Sequence, residues 1–383
     1  MLVYADNAAT APLSKAALEA MMPFLTKRFG NASSFHRVGF EAKKALEAAR
    51  ASIASLLGAE NLVFTGCGTE ALNLAITGFA RANRKKGKHI IISAIEHHAV
   101  LNVAKALRDR EGFELTILPV DGDGFVSPGD LRAVIRPETI LVSIMTANNE
   151  IGTIQPIAEL ASAARERAVT FHTDAVQAVG HIPVNLNDMG ADMITFSAHK
   201  FGGPTGVGAL AMRKGIRLEP VIIGGGHEKG LRSGTENVAG IVGMAAALEY
   251  SVSALGQTAT RLAAMRDRLI DGILKIEATR LNGHPACRLP GNVNVSIMGI
   301  EGESIILKLN NAGICASSGS ACSTASLDPS HVLLAIGLTH VEAHGSLRLS
   351  LGEQNTDMDV GYILETLPGI VNELRSMSPL WKK

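Results

Sequence analysis

The sequence predicts an α/β protein with a large domain, built on a mainly parallel seven-stranded sheet, and a smaller α+β domain. Short apolar segments alternate with helix-like segments between residues 62 and 212, and this alternation is typical of a parallel sheet covered by helices on both faces. After residue 282 the pattern changes to shorter strand and helix segments. The 383 residues also exceed the size of one small core. We therefore expect a large domain over residues 15–255 and a small domain formed by residues 1–14 and 256–383.

Two helices separated by a polar loop are expected before the sheet. The helices span Ser14–Lys27 and Ala42–Leu57, the loop spans Gly30–Phe40, and Gly58 caps the second helix. The seven strands are predicted at Leu62–Thr65, His89–Ser93, Glu114–Val120, Ile140–Met145, Thr170–Thr173, Met193–Phe196 and Val207–Met212. The connecting helices are predicted at Thr69–Arg81, His98–Arg110 and Ile157–Ala168. The last strand follows a tight turn, so we expect it to run antiparallel.

The second half of the chain begins with a long Ala-rich helix, predicted over Asn237–Ile276. The smaller domain is then predicted to contain strands at Val293–Ile297 and Ser346–Leu351, a helix at Glu303–Asn311 ended by Gly313, a short helix started by Asp328-Pro329, and a last helix capped by Thr356 with Asp359 three residues on.

Composition narrows the class of protein. Hydrophobic residues make up 46% and charged residues 19% of the chain, enough to bury a large core. Lys plus Arg and Asp plus Glu both total 36, and this balance argues against nucleic acid or an anionic membrane as a partner. The longest apolar stretch, near Ala239–Leu248, is too short to span a membrane, and Met1–Thr10 lacks the features of a signal peptide. Four cysteines without a C-x-x-C pair predict neither disulfides nor a structural metal, so we expect a cytoplasmic protein.

Polar residues cluster where the strand Met193–Phe196 ends, at Ser197, His199 and Lys200. The carboxyl ends of strands are the usual ligand site of open α/β sheets. A lysine there is costly to bury unless it is paired or neutralised. A Schiff base with an aldehyde cofactor, pyridoxal 5'-phosphate, is one solution. A solvated lysine in a turn is the alternative.

The strand Leu62–Thr65 is followed by a glycine turn and a helix, and the free amides at this helix start, with the Thr69 hydroxyl, suit a phosphate. The turn also matches a dinucleotide fingerprint through Gly66, Gly68 and Ala71, with Glu96 beyond the next strand. A nicotinamide enzyme is therefore an alternative, and so is a tight turn without a ligand.

Three further strand ends carry polar groups. His97, beside His98, can stack on a flat aromatic cofactor, although paired histidines can also bind metal. Asn149 follows the strand Ile140–Met145 and suits specific hydrogen bonding or simple loop polarity. Asp174 ends the strand Thr170–Thr173, and a buried carboxylate needs a cation, either a protonated pyridine nitrogen or a Lys or Arg. Gln177 can reach the hydroxyl of the same ring.

Three motifs lie later in the chain. The Gly-rich segment Gly224–Thr235 contains His227 and Arg232 and suits either an anion-facing loop or a flexible connector. The segment Ala316–Ala325 consists of small residues around Cys322, which favours an accessible thiol over an inert buried one. Arg348 alternates with leucines on a strand, and its guanidinium can clamp a carboxylate or lie on the surface.

Four motifs together resemble the NifS/IscS-type cysteine desulfurases, which are pyridoxal-phosphate enzymes of the class V aminotransferase family with PLP fold type I. The motifs are D-A-V-Q from Asp174, S-A-H-K from Ser197, R-S-G-T from Arg232 and S-S-G-S-A-C from Ser317. The resemblance extends from Ala5 to Trp381.

The resemblance implies a role for each matching residue. For the cofactor, it implies that Lys200 joins the aldehyde, that Asp174, Gln177 and His97 contact the ring, that Thr235 reaches the phosphate of the neighbouring subunit, and that the phosphate is bound by Gly68, Thr69, Ser197 and His199. For the substrate, it implies that Arg348 lies near the carboxylate and that Asn149 lies near both substrate and cofactor. For catalysis, it implies that Cys322 is the nucleophile and that Lys200 and His97 also take part.

The implied reaction converts L-cysteine to L-alanine and leaves the sulfur as a persulfide on Cys322, for iron–sulfur cluster assembly or other sulfur-transfer pathways. The implied partners are a second copy in a homodimer and a sulfur acceptor or iron–sulfur scaffold, with Cys322 able to ligate a cluster transiently. The sequence departs from the family at Ala32, where proline is usual, and at Cys67, where a small residue is common. It also ends just after Trp381, where some relatives continue into a tail for scaffold docking. Alternatives are a selenocysteine lyase or aminotransferase with the same cofactor, a nicotinamide dehydrogenase, and a sulfur carrier or scaffold without activity.

Overall fold

The computed structural model describes residues 2–318 and 329–381. Its strands are β1 (Val3–Tyr4), β2 (Asn61–Thr65), β3 (His89–Ser93), β4 (Glu114–Leu118), β5 (Thr139–Ser143), β6 (Thr170–Asp174), β7 (Met193–Ser197), β8 (Gly208–Met212), β9 (Thr279–Leu281), β10 (Asn292–Ile297), β11 (Ile314–Cys315) and β12 (Ser346–Ser350). A seven-stranded sheet has the order β2-β8-β7-β6-β5-β3-β4. Strands β3 to β7 pair in parallel, whereas β8 is antiparallel to both β2 and β7. The predicted sheet and its antiparallel last strand are confirmed.

The helices cover both faces of this sheet and complete the smaller unit. They are α1 (Lys15–Thr26), α2 (Arg37–Leu57), α3 (Gly68–Asn73), α4 (Phe79–Asn83), α5 (His98–Glu111), α6 (Pro128–Val134), α7 (Ile157–Arg165), α8 (Leu186–Met189), α9 (Val238–Ile273), α10 (Gly302–Asn311), α11 (His331–Ala335), α12 (His340–His344) and α13 (Asp357–Met377). A π turn, Leu74–Gly78, joins α3 to α4, and 3-10 turns occupy Ala198–Lys200 and His227–Gly230.

Two predicted helix starts were wrong. Helix α2 begins inside the predicted polar loop, because the His36 ring accepts a hydrogen bond from the Gly39 amide at 3.2 Å and caps the helix. Helix α11 is capped by Ser330, whose hydroxyl accepts from two backbone amides, and not by Asp328, which lies outside the described residues. The predicted cap of the last helix is confirmed, since Thr356 and Asp359 form a reciprocal capping box.

The direction of the strands places their carboxyl ends together. Because β8 is antiparallel to β2 and to β7, strand β2 runs in the same direction as β3 to β7. The residues that follow β2, β3, β5, β6 and β7 therefore meet at one edge of the sheet. Strands β3, β5 and β7 are buried along their whole length, which explains their continuous apolar character.

A second, smaller sheet has the antiparallel order β12-β10-β9 and packs with α10 and α13. The N-terminal arm joins it, since β1 pairs in parallel with β11 and Asp6 forms a bridge with Ser350. The short elements β1, β9, β11, α6, α8 and α12 were not predicted, because segments of two to seven residues carry too little periodicity to be recognised.

Helix α9 links the two hydrophobic cores. Its first half, including Met244 and Leu248, is buried in the core of the large sheet, and its second half, including Leu269 and Ile273, is buried with the small sheet. The helix is long and apolar enough to cross a membrane by length and mean hydropathy alone, which the sequence analysis did not anticipate. Its buried side chains are those of a core helix. The predicted domain boundary at residue 255 falls inside this helix and stays a prediction.

Candidate active site

A cavity of about 320 Å³ lies at the shared carboxyl edge of the large sheet, a volume that suits a small ligand. Ten of the predicted site residues line it: Gly68, Thr69, His97, Asn149, Asp174, Gln177, Ser197, His199, Lys200 and Arg348. The first nine come from the ends of β2, β3, β5, β6 and β7, and Arg348 is contributed by β12 of the small sheet. The structure therefore brings together residues that lie up to 280 positions apart in the sequence.

Lys200 lies on the 3-10 turn that follows β7. Its Nζ donates hydrogen bonds to two carbonyl oxygens of the N-terminal arm, those of Ala8 at 2.6 Å and Ala9 at 2.8 Å. The side chain is half-buried, and the arm fixes the amine at the cavity. The alternative of a solvated turn lysine is wrong.

Asp174 closes β6 with its carboxyl group 4% exposed. Burial raises its pKa to about 6, although a hydrogen bond from the Val176 amide at 2.9 Å and the charge of Lys200 both lower it. A carboxyl group in this state is stabilised as an anion by any cation that enters the cavity. Gln177, one turn further on, donates to the Ala8 carbonyl at 2.9 Å and stays at the same wall.

Two imidazoles at the cavity are held neutral. Burial, followed by the charge of Lys200, lowers the pKa of His97 to about 4 and that of His199 to about 4. The Nδ1 atom of His97 accepts a hydrogen bond from the Ala99 amide at 3.1 Å, which fixes the ring at the start of α5. A neutral ring held in one orientation suits stacking on an aromatic ligand.

The turn after β2 is compact. The Glu70 carboxylate accepts a hydrogen bond from the Gly66 amide at 2.8 Å, which ties the turn to the first residues of α3. A Cβ atom added at Gly68 would approach the side chains of Ser197 and Val176 to 3.2 Å, so glycine gives space between this turn and β7. The four residues predicted to bind a phosphate, Gly68, Thr69, Ser197 and His199, all line the cavity at this point, and their role stays a prediction.

Arg348 carries a guanidinium group that is only 3% exposed. Its Nη2 donates to Asp6 Oδ1 at 2.9 Å and its Nη1 to the Asn149 carbonyl at 3.1 Å. Its buried Nε has no hydrogen-bond partner among residues 2–318 and 329–381. The Asp6 and Asn149 contacts leave one N–H donor free on each Nη atom, and Arg348 lines the cavity, so a ligand oxygen can be bound there.

The predicted roles of Thr235 and Cys322 stay predictions. Thr235 is exposed and is not among the cavity-lining residues, and Cys322 lies outside the described residues. The loop that carries Thr235 is anchored and is not a flexible connector. Within it, buried Glu228 accepts two hydrogen bonds from Arg50 at 2.7 Å each, and Arg232 donates to Glu70 at 2.8 Å.

Glu96 is a cavity residue whose importance the sequence analysis missed. Its Oε1 accepts hydrogen bonds from the Ser93 hydroxyl at 2.6 Å and the Met145 amide at 2.9 Å, so this carboxylate is not placed to bind a ribose as the dinucleotide fingerprint required. Its buried Oε2 has no partner within the described part of the chain. Burial raises the pKa of Glu96 to about 8, and a neutral acid is therefore expected near physiological pH.

A Glu96→Gln substitution tests this protonation state. The folded-state pKa lies above the ordinary value of 4.5, so the protonated acid contributes stability that is fully present below that pH and lost as pH rises through about 8. Glutamine imitates the neutral acid at every pH. We expect the difference in unfolding free energy between E96Q and the wild type to change in favour of E96Q by on the order of 4 kcal/mol between pH 5 and pH 8. Urea unfolding at pH 5 to 8 measures it, with exposed Glu166→Gln as the control; a pH-independent difference would contradict the prediction.

No group of three or more His, Cys, Asp or Glu residues within residues 2–318 and 329–381 is arranged to hold a metal ion. The free cysteines there are Cys67, which lines the cavity, Cys287 and Cys315.

The fold and this lysine-containing cavity define the class of protein. The family model described as aminotransferase class-V matches residues 3–363, and the chain belongs to this family. "Cysteine desulfurase IscS" of Methanosarcina thermophila is 54% identical over 383 residues, covering 100% of this chain and 95% of that protein. "Cysteine desulfurase IscS 1" of Archaeoglobus fulgidus is 52% identical over 382 residues, covering 99% and 100%.

Solved structures agree. A "NifS-like protein" superposes with a TM-score of 0.92 at 38% identity, covering 98% of this chain and 100% of that chain. A structure titled "SspA in complex with cysteine" has a TM-score of 0.80 at 36% identity, covering 91% and 98%. The resemblance to NifS/IscS-type proteins and the PLP fold type I architecture, predicted from four motifs, are confirmed.

Proposed function

We propose that this protein is a pyridoxal-phosphate-dependent cysteine desulfurase, which converts L-cysteine to L-alanine and carries the sulfur as a persulfide on Cys322. The observation that supports it most strongly is the single cavity that joins Lys200, Asp174, His97 and Arg348. The curated relatives at 54% and 52% identity are named cysteine desulfurases, which favours this activity over that of a selenocysteine lyase or an aminotransferase.

The cavity residues fit pyridoxal 5'-phosphate. A buried carboxyl group with a raised pKa, Asp174, suits a protonated ring nitrogen, and a neutral, fixed imidazole, His97, suits the face of the ring. Gly68, Thr69, Ser197 and His199 line the cavity together, and we propose that they bind the phosphate. We propose that Gln177 and Asn149 contact the ring and that Thr235 reaches the phosphate bound by a partner subunit.

When bound, the cofactor supplies an electron sink for the bonds at the substrate Cα atom. The Lys200 amine would move the Cα proton, and the Asp174 carboxylate would hold the ring nitrogen in its charged form. Arg348 would hold the substrate carboxylate with the donors that Asp6 and Asn149 leave free. The Cys322 thiolate attacks the substrate sulfur: a sulfur–sulfur bond forms, the Cβ–sulfur bond breaks, and a proton added at Cβ completes alanine.

Replacing Cys322 by alanine tests the sulfur-transfer step. We expect C322A to lose persulfide formation and at least ~10³-fold of L-cysteine turnover, since covalent catalysis is removed. The visible absorbance of the bound cofactor should persist. Persulfide labelling, sulfide and alanine assays measure the outcome, with Cys287→Ala, an exposed cysteine outside the cavity, as the control. Persistent sulfide production from L-cysteine by C322A would contradict the role of Cys322.

We propose that the protein is a homodimer. Large apolar side chains are exposed along α1, in the segment that joins it to α2, and at the start of α2: Leu18, Met22, Leu25, Phe29, Phe35 and Phe40. Phe35 is 94% exposed and Phe29 68%, and an apolar patch of this size indicates a protein interface. We expect twice the chain mass by light scattering and at least ~10-fold weaker association of Phe35→Asp. Leu307→Asp, an exposed site on α10, is the control; a monomeric wild type would refute the proposal.

The destination of the sulfur is also a proposal. A persulfide has to reach an acceptor, and we propose an iron–sulfur scaffold or another sulfur acceptor protein in the cytoplasm. The balanced net charge of zero argues against nucleic acid as that acceptor. Transfer of labelled sulfur from the loaded protein to a purified scaffold measures it.

A further inference from the structure

The buried guanidinium group of Arg348 already has an anionic partner at the cavity. Asp6, on the N-terminal arm, accepts a hydrogen bond from Nη2 at 2.9 Å, and its side chain is 21% exposed. An acid on a substrate-binding arginine can either compete with the substrate carboxylate or hold the arginine in place for it.

The number of available donors decides between these two roles. A guanidinium group has five N–H donors. Asp6 takes one on Nη2 and the Asn149 carbonyl takes one on Nη1 at 3.1 Å. Three remain, among them the buried Nε that has no partner in residues 2–318 and 329–381. A carboxylate needs two donors for a bidentate pair, so Asp6 and a substrate carboxylate can be bound at the same time.

Asp6 is itself held rigidly on the strand that carries Arg348. It forms a parallel bridge with Ser350 of β12, two residues beyond Arg348. Its carbonyl accepts hydrogen bonds from the Tyr4 hydroxyl at 3.1 Å and the Ala9 amide at 3.1 Å. The carboxylate and the guanidinium therefore keep one relative position.

Without Asp6 the guanidinium would lose its closest counterion. A buried charge without a partner is strongly disfavoured. Burial raises the pKa of Glu150 to about 7, although a hydrogen bond from the Ser330 hydroxyl to its Oε2 at 2.5 Å and the charge of Arg348 both lower it. Arg348 could then turn towards Glu150 or towards solvent, and its free donors would no longer be held in one orientation at the cavity.

We propose that Asp6 is a positioning residue for substrate recognition: it neutralises Arg348 and orients its open donors towards the carboxylate of the substrate. This inference rests on the proposed function, because it assumes that Arg348 receives the carboxylate of an amino acid.

Asp6→Asn and Asp6→Ala in the full-length, cofactor-loaded protein test the proposal. We expect D6A to raise both the KM for L-cysteine and the Kd for L-alanine about tenfold, which is the effect of one charge-assisted contact. Binding of L-alanine is measured by the change in cofactor absorbance. The kcat should change less than about twofold, since chemistry at Cα is not touched. D6N removes the charge with little change of shape and should shift both constants in the same direction. Binding of cysteamine, which lacks the carboxylate, should be unchanged. Glu166→Ala, which breaks a surface pair with Arg132, is the matched control.

Three other outcomes would overturn the proposed role of Asp6. Tighter binding of L-cysteine and L-alanine by D6A would identify Asp6 as a competitor. Unchanged binding would remove it from recognition. Equal weakening of L-alanine binding and cysteamine binding would indicate a structural effect only. Comparing the thermal unfolding of D6N with that of the wild type shows whether the variant is misfolded. A wild type that binds L-alanine but does not desulfurate L-cysteine would refute the proposed function and leave the binding test of Asp6 intact.

Discussion

Lys200→Ala is expected to abolish the conversion of L-cysteine, with at least ~10⁴-fold loss of kcat, since both the covalent attachment of the cofactor and the proton transfer at Cα are removed. The amine is held at the cavity by the carbonyls of Ala8 and Ala9, and these contacts fix its position. Borohydride should bleach and label the wild type at Lys200 and leave the variant unlabelled. Single-turnover alanine formation and mass spectrometry of the labelled peptide measure both effects.

Lys200→Arg and Lys44→Ala are the comparisons. Arginine keeps the charge beside His97 and His199 but cannot form the covalent bond or accept a proton, so we expect it to be as inactive as alanine. Lys44 is exposed on α2, away from the cavity, and its loss should have no effect. Activity of K200R within about tenfold of the wild type would show that Lys200 is only an electrostatic partner.

Asp174→Asn is expected to lower kcat by ~10² to 10³-fold, because asparagine cannot keep a ring nitrogen protonated and the electron sink is lost. The cavity should remain intact, since an amide oxygen can still accept the Val176 amide hydrogen bond that Asp174 now receives. The absorbance maximum of the bound cofactor and its pH dependence should shift, which separates this effect from misfolding.

Asp130→Asn, at the exposed start of α6, is the control for the same chemical change. Wild-type activity of D174N together with an unshifted absorbance would mean that the carboxyl group does not contact the ring.

Site residues could be predicted best from the sequence where a polar residue lies at the end of a predicted strand. The strands that end at Ser197 and Asp174 were predicted to end within one residue of their observed ends, so the polar residues there could be placed at the strand ends. Parallel pairing then requires those residues to lie at one edge. The side chain of Arg348 could be predicted to oppose its leucine neighbours for the same reason of strand alternation.

Other features depend on contacts between distant segments, which periodicity does not reveal. Glu96 was interpreted as a cofactor-binding residue of another enzyme class, but it accepts hydrogen bonds from Ser93 and Met145, and burial raises its pKa enough to keep the acid neutral. Asp6 lies 342 positions from the arginine that it neutralises. The start of α2 was missed because capping by His36 is a local side-chain contact inside a segment rich in loop-forming residues.

The continuous backbone of α9 limits how the two cores can move. A hinge between them would have to bend a helix of 36 residues and break several of its hydrogen bonds at once. Gly256 lies between the two buried halves, and a Cβ atom added there would meet no heavy atom within 4 Å, so the helix is loosely packed at this point. Opening and closing by rotation of whole domains is therefore mechanically unfavourable here, and access to the cavity has to depend on side chains and shorter segments at its rim.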